Sequence, residues 1–410
     1  MSVPKLRFGE FDGDFEKNKL VEYTKWSSGG TPSKDNDEYW NGDIPLISGA
    51  SMHTQKFFES DVNITELGLK KGSKLAPKDS ILILVRGSML FNKIPMGLTL
   101  KDVAFNQDVK CIQPTQSLNS SFLFQWFLAK ENIIQNKVTS TGIGAGKLDT
   151  ADLQNLEIVV PKLEEQTKIA SFLSAVDEKI SQLTQKHELL SQYKQGMMQK
   201  LFSQQIRFKA DDGSEFGEWE ETTLGNLYQI GSSKRVLQED WKSEGIPFLR
   251  TREIISLIEK TKFSSPIFIT EELYVNLITK YGSIKENDIL VSGVGTVGKA
   301  YVVKATDKFY FKDGNVIWLS HKGLNNSKFI YYFFQSPIME NYFIANKSVT
   351  TVDTFTIEQA KKVVLFDPCL EEQTKIANFL SNIDQKIEVV AQQIEQAKQW
   401  KKGLLQQMFV

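Results

Sequence analysis

The chain has 410 residues, of which 41% are apolar and 24% charged, and its formal net charge is −1. This length is too great for one ordinary hydrophobic core and suits two domains with additional segments. The apolar runs are far shorter than the ~20 residues that cross a bilayer, and the N-terminus lacks a signal-peptide pattern, so a cytoplasmic protein is expected. The two cysteines, Cys111 and Cys369, form no CxxC pair, and neither a zinc site nor a disulfide framework is expected.

The charge balance also bears on possible partners. Residues 1–160 and 206–367, the two predicted globular domains, each hold nearly equal numbers of basic and acidic residues. A nucleic-acid-binding domain usually carries a basic excess. The balance therefore argues mildly against nucleic acid as a partner, and a DNA-binding face would have to be a local patch.

In the first predicted domain, residues 1–160, short hydrophobic runs alternate with turns rich in Gly, Asp and Asn. The run ILILV (81–85) precedes a polar loop, and the aromatic-rich run 120–135 begins at a serine that suits a helix N-cap. The stretch GIGAGKL (142–148) resembles a phosphate-binding loop, but its spacing is one residue short and Leu148 replaces the Ser or Thr that would hold magnesium. A mixed α/β (α+β) domain without a nucleotide site is predicted.

Residues 161–205 are predicted to form one long helix. Pro161 opens it, Glu164 and Glu165 suit the positive end of the helix dipole, and no proline interrupts the rest. Apolar residues follow a 3-4 spacing that His187 and Lys194 interrupt. The seam consists of Leu173, Val176, Ile180, Leu183, Leu190, Met197 and Leu201. A helix about 60 Å long, at ~1.5 Å per residue, cannot bury such a stripe by itself.

The second predicted domain, residues 206–367, faintly repeats the first. The segments 241–250, 286–296 and 327–343 parallel 40–48, 78–88 and 120–135. The stretch GVGTVG (293–298) matches the GxGxxG dinucleotide pattern, which requires a helix after it. The residues that follow are typical of a strand, so a hairpin or loop is expected here.

Residues 368–410 repeat residues 161–203 without a gap, and about half of the aligned pairs are identical. The octapeptide LEEQTKIA occurs at 163–170 and again at 370–377. The apolar seam recurs in the second copy, where Lys401 interrupts it, as Leu380, Ile383, Ile387, Val390, Ile394, Ala397, Leu404 and Met408. The simplest way to bury both apolar seams is to pair the two helices as an antiparallel coiled coil, which gives a single chain pseudo-two-fold symmetry and lets the helices act as a ruler. A core helix hairpin or a homodimer stalk is the alternative.

Motifs of catalysis are missing from the sequence. HExxH, GxSxG and the amino-methyltransferase motif [DN]PP[YFW] do not occur. The helix motifs KLEEQTKIASFLSAVDEKI and CLEEQTKIANFLSNIDQKI, with the endings KQGMMQKLF and KKGLLQQMF, instead resemble the specificity (S) subunit of type I restriction-modification systems. The resemblance covers essentially the whole chain, and GDIPLIS, GIPFLRTREI and DILVSGVGTVGKA are similar to elements of that family's target recognition domains.

This resemblance implies target recognition domains at residues 1–160 and 206–367, and spacer helices at 161–205 and 368–410. Each domain would recognise one half of a gapped, bipartite target in double-stranded DNA. Two modification subunits carrying S-adenosylmethionine would dock on the helical regions and methylate adenine. Restriction subunits, which use ATP and Mg²⁺, would join them in a bacterial cytoplasm. The chain itself would be non-catalytic and would hold no cofactor or metal.

Candidate DNA-binding residues follow from base chemistry. Arg250 and Arg252 are the leading pair, because arginine binds guanine through two hydrogen bonds in the major groove. The other candidates are Ser292, Thr296 and Lys299 in the glycine loop, Arg86 and Ser88 in the matching loop of the first domain, Ser48 and His53 in place of the arginines, and Lys147, Thr350 and Thr351 on further loops. Candidates for partner contact are Gln166, Lys168, Gln373 and Lys375, taken as exposed residues near the repeated motif.

Two other hypotheses remain open at this stage. One is a self-sufficient DNA methyltransferase or nuclease, which the absence of motifs disfavours and which binding of S-adenosylmethionine by the isolated chain would support. The other is a structural coiled-coil scaffold, which would not bind DNA in a sequence-dependent way.

Overall fold

A computed structural model describes residues 3–142, 144–346 and 353–409. The chain divides into two compact units: the first unit is Met1–Gln185 with Ala391–Val410, and the second unit is Lys186–Val390. Each unit therefore combines a globular domain with a part of each long helix. Among the described residues, no helix is both long enough and apolar enough to span a membrane.

The first unit is built on antiparallel and mixed sheets. Its strands are β1 (Glu16–Lys19), β2 (Thr24–Ser28), β3 (Trp40–Ile47), β4 (Lys56–Phe57), β5 (Asn63–Ile64), β6 (Lys74–Ala76), β7 (Ile81–Leu84), β8 (Arg86–Gly87), β9 (Met96–Thr99), β10 (Val103–Phe105), β11 (Val109–Pro114), β12 (Thr139–Ser140), β13 (Gly146–Lys147) and β14 (Glu157–Val160). The sheets have the orders β2-β11-β7-β9-β4, β5-β3-β10-β6, β12-β13-β8 and β1-β14. The predicted run ILIL forms β7, whose four side chains are all buried between two antiparallel neighbours.

Helices cover these sheets and connect them to the repeated segment. They are α1 (Glu66–Gly72), α2 (Ser120–Ala129), α3 (Glu131–Gln135), α4 (Thr150–Gln154) and α5 (Leu163–Phe202), of which α5 continues into the second unit. Asn119 caps α2 by accepting a hydrogen bond from the Phe122 amide at 3.0 Å, one residue before the predicted serine cap. Phe122, Trp126 and Phe127 then lie in the core of the first unit.

The second unit repeats this plan with smaller sheets. Its strands are β15 (Glu220–Thr223), β16 (Tyr228–Gly231), β17 (Ile246–Leu249), β18 (Phe268–Ile269), β19 (Ile289–Ser292), β20 (Ala300–Val302), β21 (Tyr310–Phe311), β22 (Val316–His321) and β23 (Val364–Asp367), in the orders β16-β22-β19-β20, β18-β17-β21 and β15-β23. Its helices are α6 (Leu224–Leu227), α7 (Thr251–Ile258), α8 (Glu271–Tyr281), α9 (Ser327–Phe334), α10 (Pro337–Ala345), α11 (Ile357–Lys362) and α12 (Leu370–Met408). Because β19 and β20 pair antiparallel, GVGTVG is the hairpin loop that the sequence predicts, and the dinucleotide alternative is excluded.

Matching ion pairs connect the start of each long helix to the first residues of the preceding domain. Arg7 forms two hydrogen bonds of 2.8 Å with the carboxylate of Glu165, and Arg207 binds Glu372 at 2.7 and 3.2 Å. Both glutamates are buried, and each charge is compensated because the arginine supplies two donors. The acidic residues predicted to favour the helix dipole thus also make specific tertiary contacts.

In the first unit, the first part of α5 packs against the end of α12. Ile169 and Met408 line a common cavity, and Ile180 lines a groove with Lys398, so the two segments run antiparallel. Leu173 and Leu404 belong to the same core. Beside this seam Asp177 accepts hydrogen bonds from Lys401 Nζ at 2.5 Å and from Gln125 Nε2 at 2.8 Å.

In the second unit, the end of α5 packs against the first part of α12. Met198 and Leu201 of α5 lie in one core with Ile376 and Leu380 of α12. Lys194, earlier in α5, pairs with Asp384, later in α12, at 2.7 Å, which again requires an antiparallel arrangement. The hydroxyl of Tyr332 donates to Asp384 at 2.7 Å, as Gln125 does to Asp177 in the first unit.

Lys194 and Lys401, which interrupt the predicted apolar seams, therefore have a structural explanation. They occupy equivalent positions of the repeat, and each binds the equivalent aspartate of the other helix. A slip of one helix turn would move each ammonium group away from its partner and leave it unpaired. A polar pair at a seam position is a known means of fixing the register of a coiled coil.

Candidate nucleic-acid interface

In the first unit, three segments meet at the turn of residues 106–108, and two of them lead to candidate residues. One follows β2, the second leaves β3 toward Ser48, and the third leaves β7 toward Arg86. Backbone hydrogen bonds make the junction: Gly30 N donates to Phe105 O (3.0 Å), Asn106 N to Ile47 O (3.0 Å) and Val85 N to Asp108 O (2.8 Å). The structure thus brings together loops that are distant in the sequence.

The second unit contains the same junction at residues 312–315. The segment after β16, the end of β17 before Arg250 and the end of β19 before the glycine loop meet there. The hydrogen bonds are Gly314 N to Ser232 Oγ (3.2 Å), Ser233 Oγ to Phe311 O (2.5 Å), Lys312 N to Leu249 O (2.8 Å) and Gly293 N to Asn315 O (2.8 Å). In both domains, the loops that follow the corresponding strands therefore lie together at the same end of those strands.

A small sheet in the first unit aligns Arg86 with Lys147. These two residues are register partners on β8 and β13, and Thr139 on β12 is the register partner of Lys147 on the other side. Residues directly opposite one another in a sheet point to the same face. All three side chains are exposed, so they form a short cationic and polar row suited to a phosphate or base edge.

The other candidates of the first domain are Ser88, His53 and Ser48. Ser88 begins a short 3₁₀ turn directly after β8 and is exposed, as is His53. Ser48 is half-buried, and its amide donates to Ser51 Oγ at 2.9 Å. Ser48, a candidate for DNA contact, therefore also has a structural role at the start of this turn.

Arg250 and Arg252 are engaged within the protein. Arg250 donates from Nε and Nη2 to the carboxylate of Glu253 at 3.0 and 2.6 Å, and Arg252 Nε donates to the same carboxylate at 2.6 Å. Both guanidinium groups also bind the Ser265 carbonyl at 3.0 Å. Burial acts to raise the pKa of Glu253, but the bonds from Arg250 and Arg252 outweigh it and hold that pKa below its usual range.

The two arginines differ in how exposed they remain. Arg250 is largely buried, whereas the side chain of Arg252 is 52% exposed. In the described part of the chain the bonds of Arg252 use Nε and Nη2, so Nη1 faces no protein acceptor. Arg252 is therefore the better placed of the two for an external ligand, and Arg250 supports the turn from which it projects.

The glycine loop is held by Ser292. Its buried hydroxyl donates to the carbonyl of Thr296 and accepts from the Lys299 amide at 2.9 Å. Gly298 has φ +80°, and a Cβ there would lie 2.2 Å from the ring of Phe343, so only glycine fits. Ser292 therefore shapes the loop, while Thr296 and Lys299 are exposed on it. Thr350 and Thr351 lie outside the described residues.

The prediction that Gln166 and Gln373 are exposed is wrong, because both amides are only 1% exposed. Gln166 Oε1 accepts from the Asn119 amide at 2.8 Å, and its Nε2 donates to the carbonyls of Ser117 and Pro161. Gln373 makes the matching bonds to the Asn326 amide and the Pro368 carbonyl at 2.7 and 2.8 Å. They join the start of each long helix to the cap of the preceding aromatic helix.

Of the two lysines chosen with them, Lys168 is exposed as predicted, whereas the side chain of Lys375 is only 24% exposed. Lys168 pairs with Glu10 at 3.4 Å and lies over the Phe8 ring, and Lys375 pairs with Asp211 at 2.5 Å. Both contacts link a long helix to the first residues of the preceding domain. Such partly exposed pairs can exchange with a partner's charges at small cost.

Sequence reasoning missed the loop of residues 231–235, GSSKR, and the buried Glu253. The signal for Glu253 was readable, since an arginine and a glutamate three residues apart face each other on a helix. The signal for the loop was its place after β16, which matches SSGG after β2. Extending the repeat comparison to these short segments would have found it.

Each of the two domains thus presents a matching polar loop junction and is joined to a pair of long helices. The comparisons identify the class. A family model described as the type I restriction modification DNA specificity domain matches residues 13–192 and 217–399. The chain therefore belongs to the type I restriction-modification DNA specificity family, whose members determine DNA target recognition and are not themselves enzymes.

Individual relatives agree with this family. A type I restriction enzyme specificity subunit of Escherichia coli is 32% identical over 176 residues, which is 42% of this chain and 44% of that protein. The type I restriction enzyme MjaVIII specificity subunit of Methanocaldococcus jannaschii is 27% identical over 96% of this chain and 91% of its own length. The crystal structure of a type I S subunit from M. genitalium matches with a TM-score of 0.60 at 16% identity, covering 100% of this chain and 99% of that one, so the fold is shared.

Proposed function

We propose that this chain recognises a bipartite, gapped target in double-stranded DNA, one half through residues 1–160 and the other through residues 206–367. The observation that carries the proposal is the repeated loop junction, which presents different side chains from the same backbone framework in each domain. Ser48 follows β3 in the first domain, whereas Arg250 follows β17 in the second. Because base recognition depends on side-chain chemistry, the two domains recognise different half-sites.

The two spacer helices, residues 161–205 and 368–410, set the distance between the half-sites. Recognition elements on one face of B-DNA are separated by about one helical turn, ~34 Å, or by multiples of it. The register that Lys194 and Lys401 establish supports a fixed spacing. Inserting or deleting helix residues should therefore change the gap and leave both half-sites unchanged.

Catalysis belongs to partner subunits in this proposal. Two modification subunits carrying S-adenosylmethionine methylate adenine, and restriction subunits supply ATP- and Mg²⁺-dependent cleavage in the bacterial cytoplasm. The repeat supplies two equivalent surfaces for two copies of one partner. Lys168 and Lys375 lie on these surfaces, and Tyr193 and Trp400, at equivalent positions, are 50% and 54% exposed.

The partner surfaces can be tested by co-purification of the complex. Trp400→Ala should reduce the number of modification subunits per chain from two to one, and Tyr193→Ala should act in the same way. Leu189→Ala is the matched control, since this residue is also exposed on α5 but has a glutamine at its equivalent position. Retention of two modification subunits by both aromatic variants would remove Tyr193 and Trp400 from the proposed surface.

The function is tested by methylome sequencing of cells with and without the gene. Loss of one gapped adenine-methylation motif is the expected result, and an unchanged methylome from an expressed locus would overturn the proposal. Exchanging residues 206–367 for the corresponding domain of another such subunit should change one half of the motif only. An exchange that alters both halves would show that the domains do not act separately.

A further inference from the structure

We propose that Lys234 and Lys280, whose ammonium groups lie over the ring of Tyr281, form with the adjacent Arg235 a phosphate-binding element for duplex DNA in the second domain. This inference rests on the proposed function and adds a site that motif analysis does not select. Lys234 and Arg235 belong to the loop after β16, while Lys280 and Tyr281 end α8. The four residues come from segments more than forty positions apart.

The loop that carries the first two cations is held in one conformation. Ser232 Oγ donates to the Val316 carbonyl at 2.7 Å, Ser233 Oγ donates to the Phe311 carbonyl at 2.5 Å, and the Lys234 amide donates to Tyr310 Oη at 3.0 Å. Val236, directly after the basic pair, is buried. Side chains on a preorganised loop lose less conformational entropy when they bind.

Tyr281 brings the charges together. The ammonium groups of Lys234 and Lys280 lie 5.2 and 5.3 Å from the centroid of this ring, and Tyr281 is 41% exposed. Both amines therefore lie at the same exposed aromatic ring. Within the described residues, none of the ion pairs involves Lys234, Arg235 or Lys280, and all three side chains are exposed. An anion between them would relieve the repulsion of like charges.

The position of this element argues for DNA as the source of the anion. Ser233 binds the carbonyl of Phe311, whose register partner on the parallel strand is Leu249. Arg250 and Arg252 follow Leu249, so the basic loop lies at the same strand ends as the exposed arginine and the glycine loop. Contacts to phosphate orient a protein on the duplex while neighbouring side chains contact bases.

The test uses the full chain assembled with its modification subunits and two labelled duplexes, one with the methylome-derived motif and one without it. Binding is measured between 50 and 200 mM salt. The triple variant Lys234→Ala, Arg235→Ala, Lys280→Ala should bind both duplexes about tenfold or more weakly, and the slope of log affinity against log salt should fall by about 2–3. A variant with Lys234→Arg and Lys280→Arg keeps the charges and should retain the wild-type slope.

Lys304→Ala is the matched control, because Lys304 is exposed and lies just beyond β20, at the end of that strand remote from the glycine loop. It should leave both affinities and the slope unchanged. An unaltered slope in the triple variant, or an equal loss in Lys304→Ala, would overturn the phosphate-binding element alone. If the wild-type complex failed to distinguish the two duplexes, the proposed function itself would fail.

Discussion

Removal of Asp384 should destabilise the second unit by about 2 kcal/mol. The change leaves the Lys194 ammonium group, which is 15% exposed, and the Tyr332 hydroxyl without their shared acceptor. Breaking a fully buried pair costs roughly 3–5 kcal/mol, and losing a hydrogen bond to a charged group costs about 1.5–3 kcal/mol. Because Asp384 is 36% exposed, solvent screens the pair, and the expected loss of stability falls within the lower of these two ranges.

The assay is thermal unfolding of the full chain combined with hydrogen exchange in residues 370–390. A loss of about 2 kcal/mol should lower the midpoint of the second unit by roughly 4–8 °C, and exchange should accelerate locally around the broken contact. Glu388→Ala is the control, since Glu388 lies one turn further along α12 and forms an exposed pair with Lys260. Its effect should not exceed about 0.5 kcal/mol.

A charge exchange separates a paired contact from a mere packing effect. The double variant Lys194→Asp, Asp384→Lys restores an ion pair with reversed polarity and should recover much of the lost stability. If Asp384→Ala changed the midpoint no more than Glu388→Ala, or if the exchange recovered nothing, the assignment of Lys194 and Asp384 as register-fixing residues would be refuted.

Four further substitutions test other contacts. Burial, and secondly the charge of the neighbouring Glu220, raise the pKa of Asp367 to about 6. The stability contributed by the protonated carboxyl is therefore fully present below pH 4 and is lost as the pH rises through 6. In chemical unfolding, Asp367→Asn should be more stable than wild type above pH 6 and equal to it below pH 4. Gln166→Ala leaves one buried amide and two carbonyls without partners and should cost about 2–3 kcal/mol, and a loss below ~0.5 kcal/mol would show that water replaces the glutamine. Arg252→Ala should weaken DNA binding with little change in melting temperature. Arg250→Ala should lower the melting temperature, because the buried Glu253 then keeps one cation fewer. Equal melting temperatures of the two variants would contradict the assignment of a structural role to Arg250 and a binding role to Arg252.

Much of the architecture could be predicted because it has a local signal. The two long helices follow from the repeat and from 3-4 spacing, and the structure places them at Leu163–Phe202 and Leu370–Met408. Leu173, Val176, Leu380 and Ile383 of the predicted seams are buried. The hairpin around the glycine loop was predictable because a strand pattern follows it.

The candidate site was less accessible, because its geometry depends on tertiary contacts. Gln166 is polar and lies on a mainly exposed helix, and its sequence gives no sign of the carbonyls that it binds. Arg250 has the chemistry of a base-contacting residue, but a glutamate three residues later uses the same donors. The loop with Lys234 was overlooked because its importance comes from Tyr281, which lies on a different element.

The loop junctions at residues 106–108 and 312–315 are made largely by main-chain donors and acceptors. Main-chain groups are the same for every residue type except proline, so these bonds persist when the side chains on the loops are replaced. Ser48 or Arg250, and Arg86 or Val294, can therefore follow the same strand ends without disturbing the sheets beneath. A framework of this kind allows new sequence preferences to evolve through single surface substitutions, with the fold left intact.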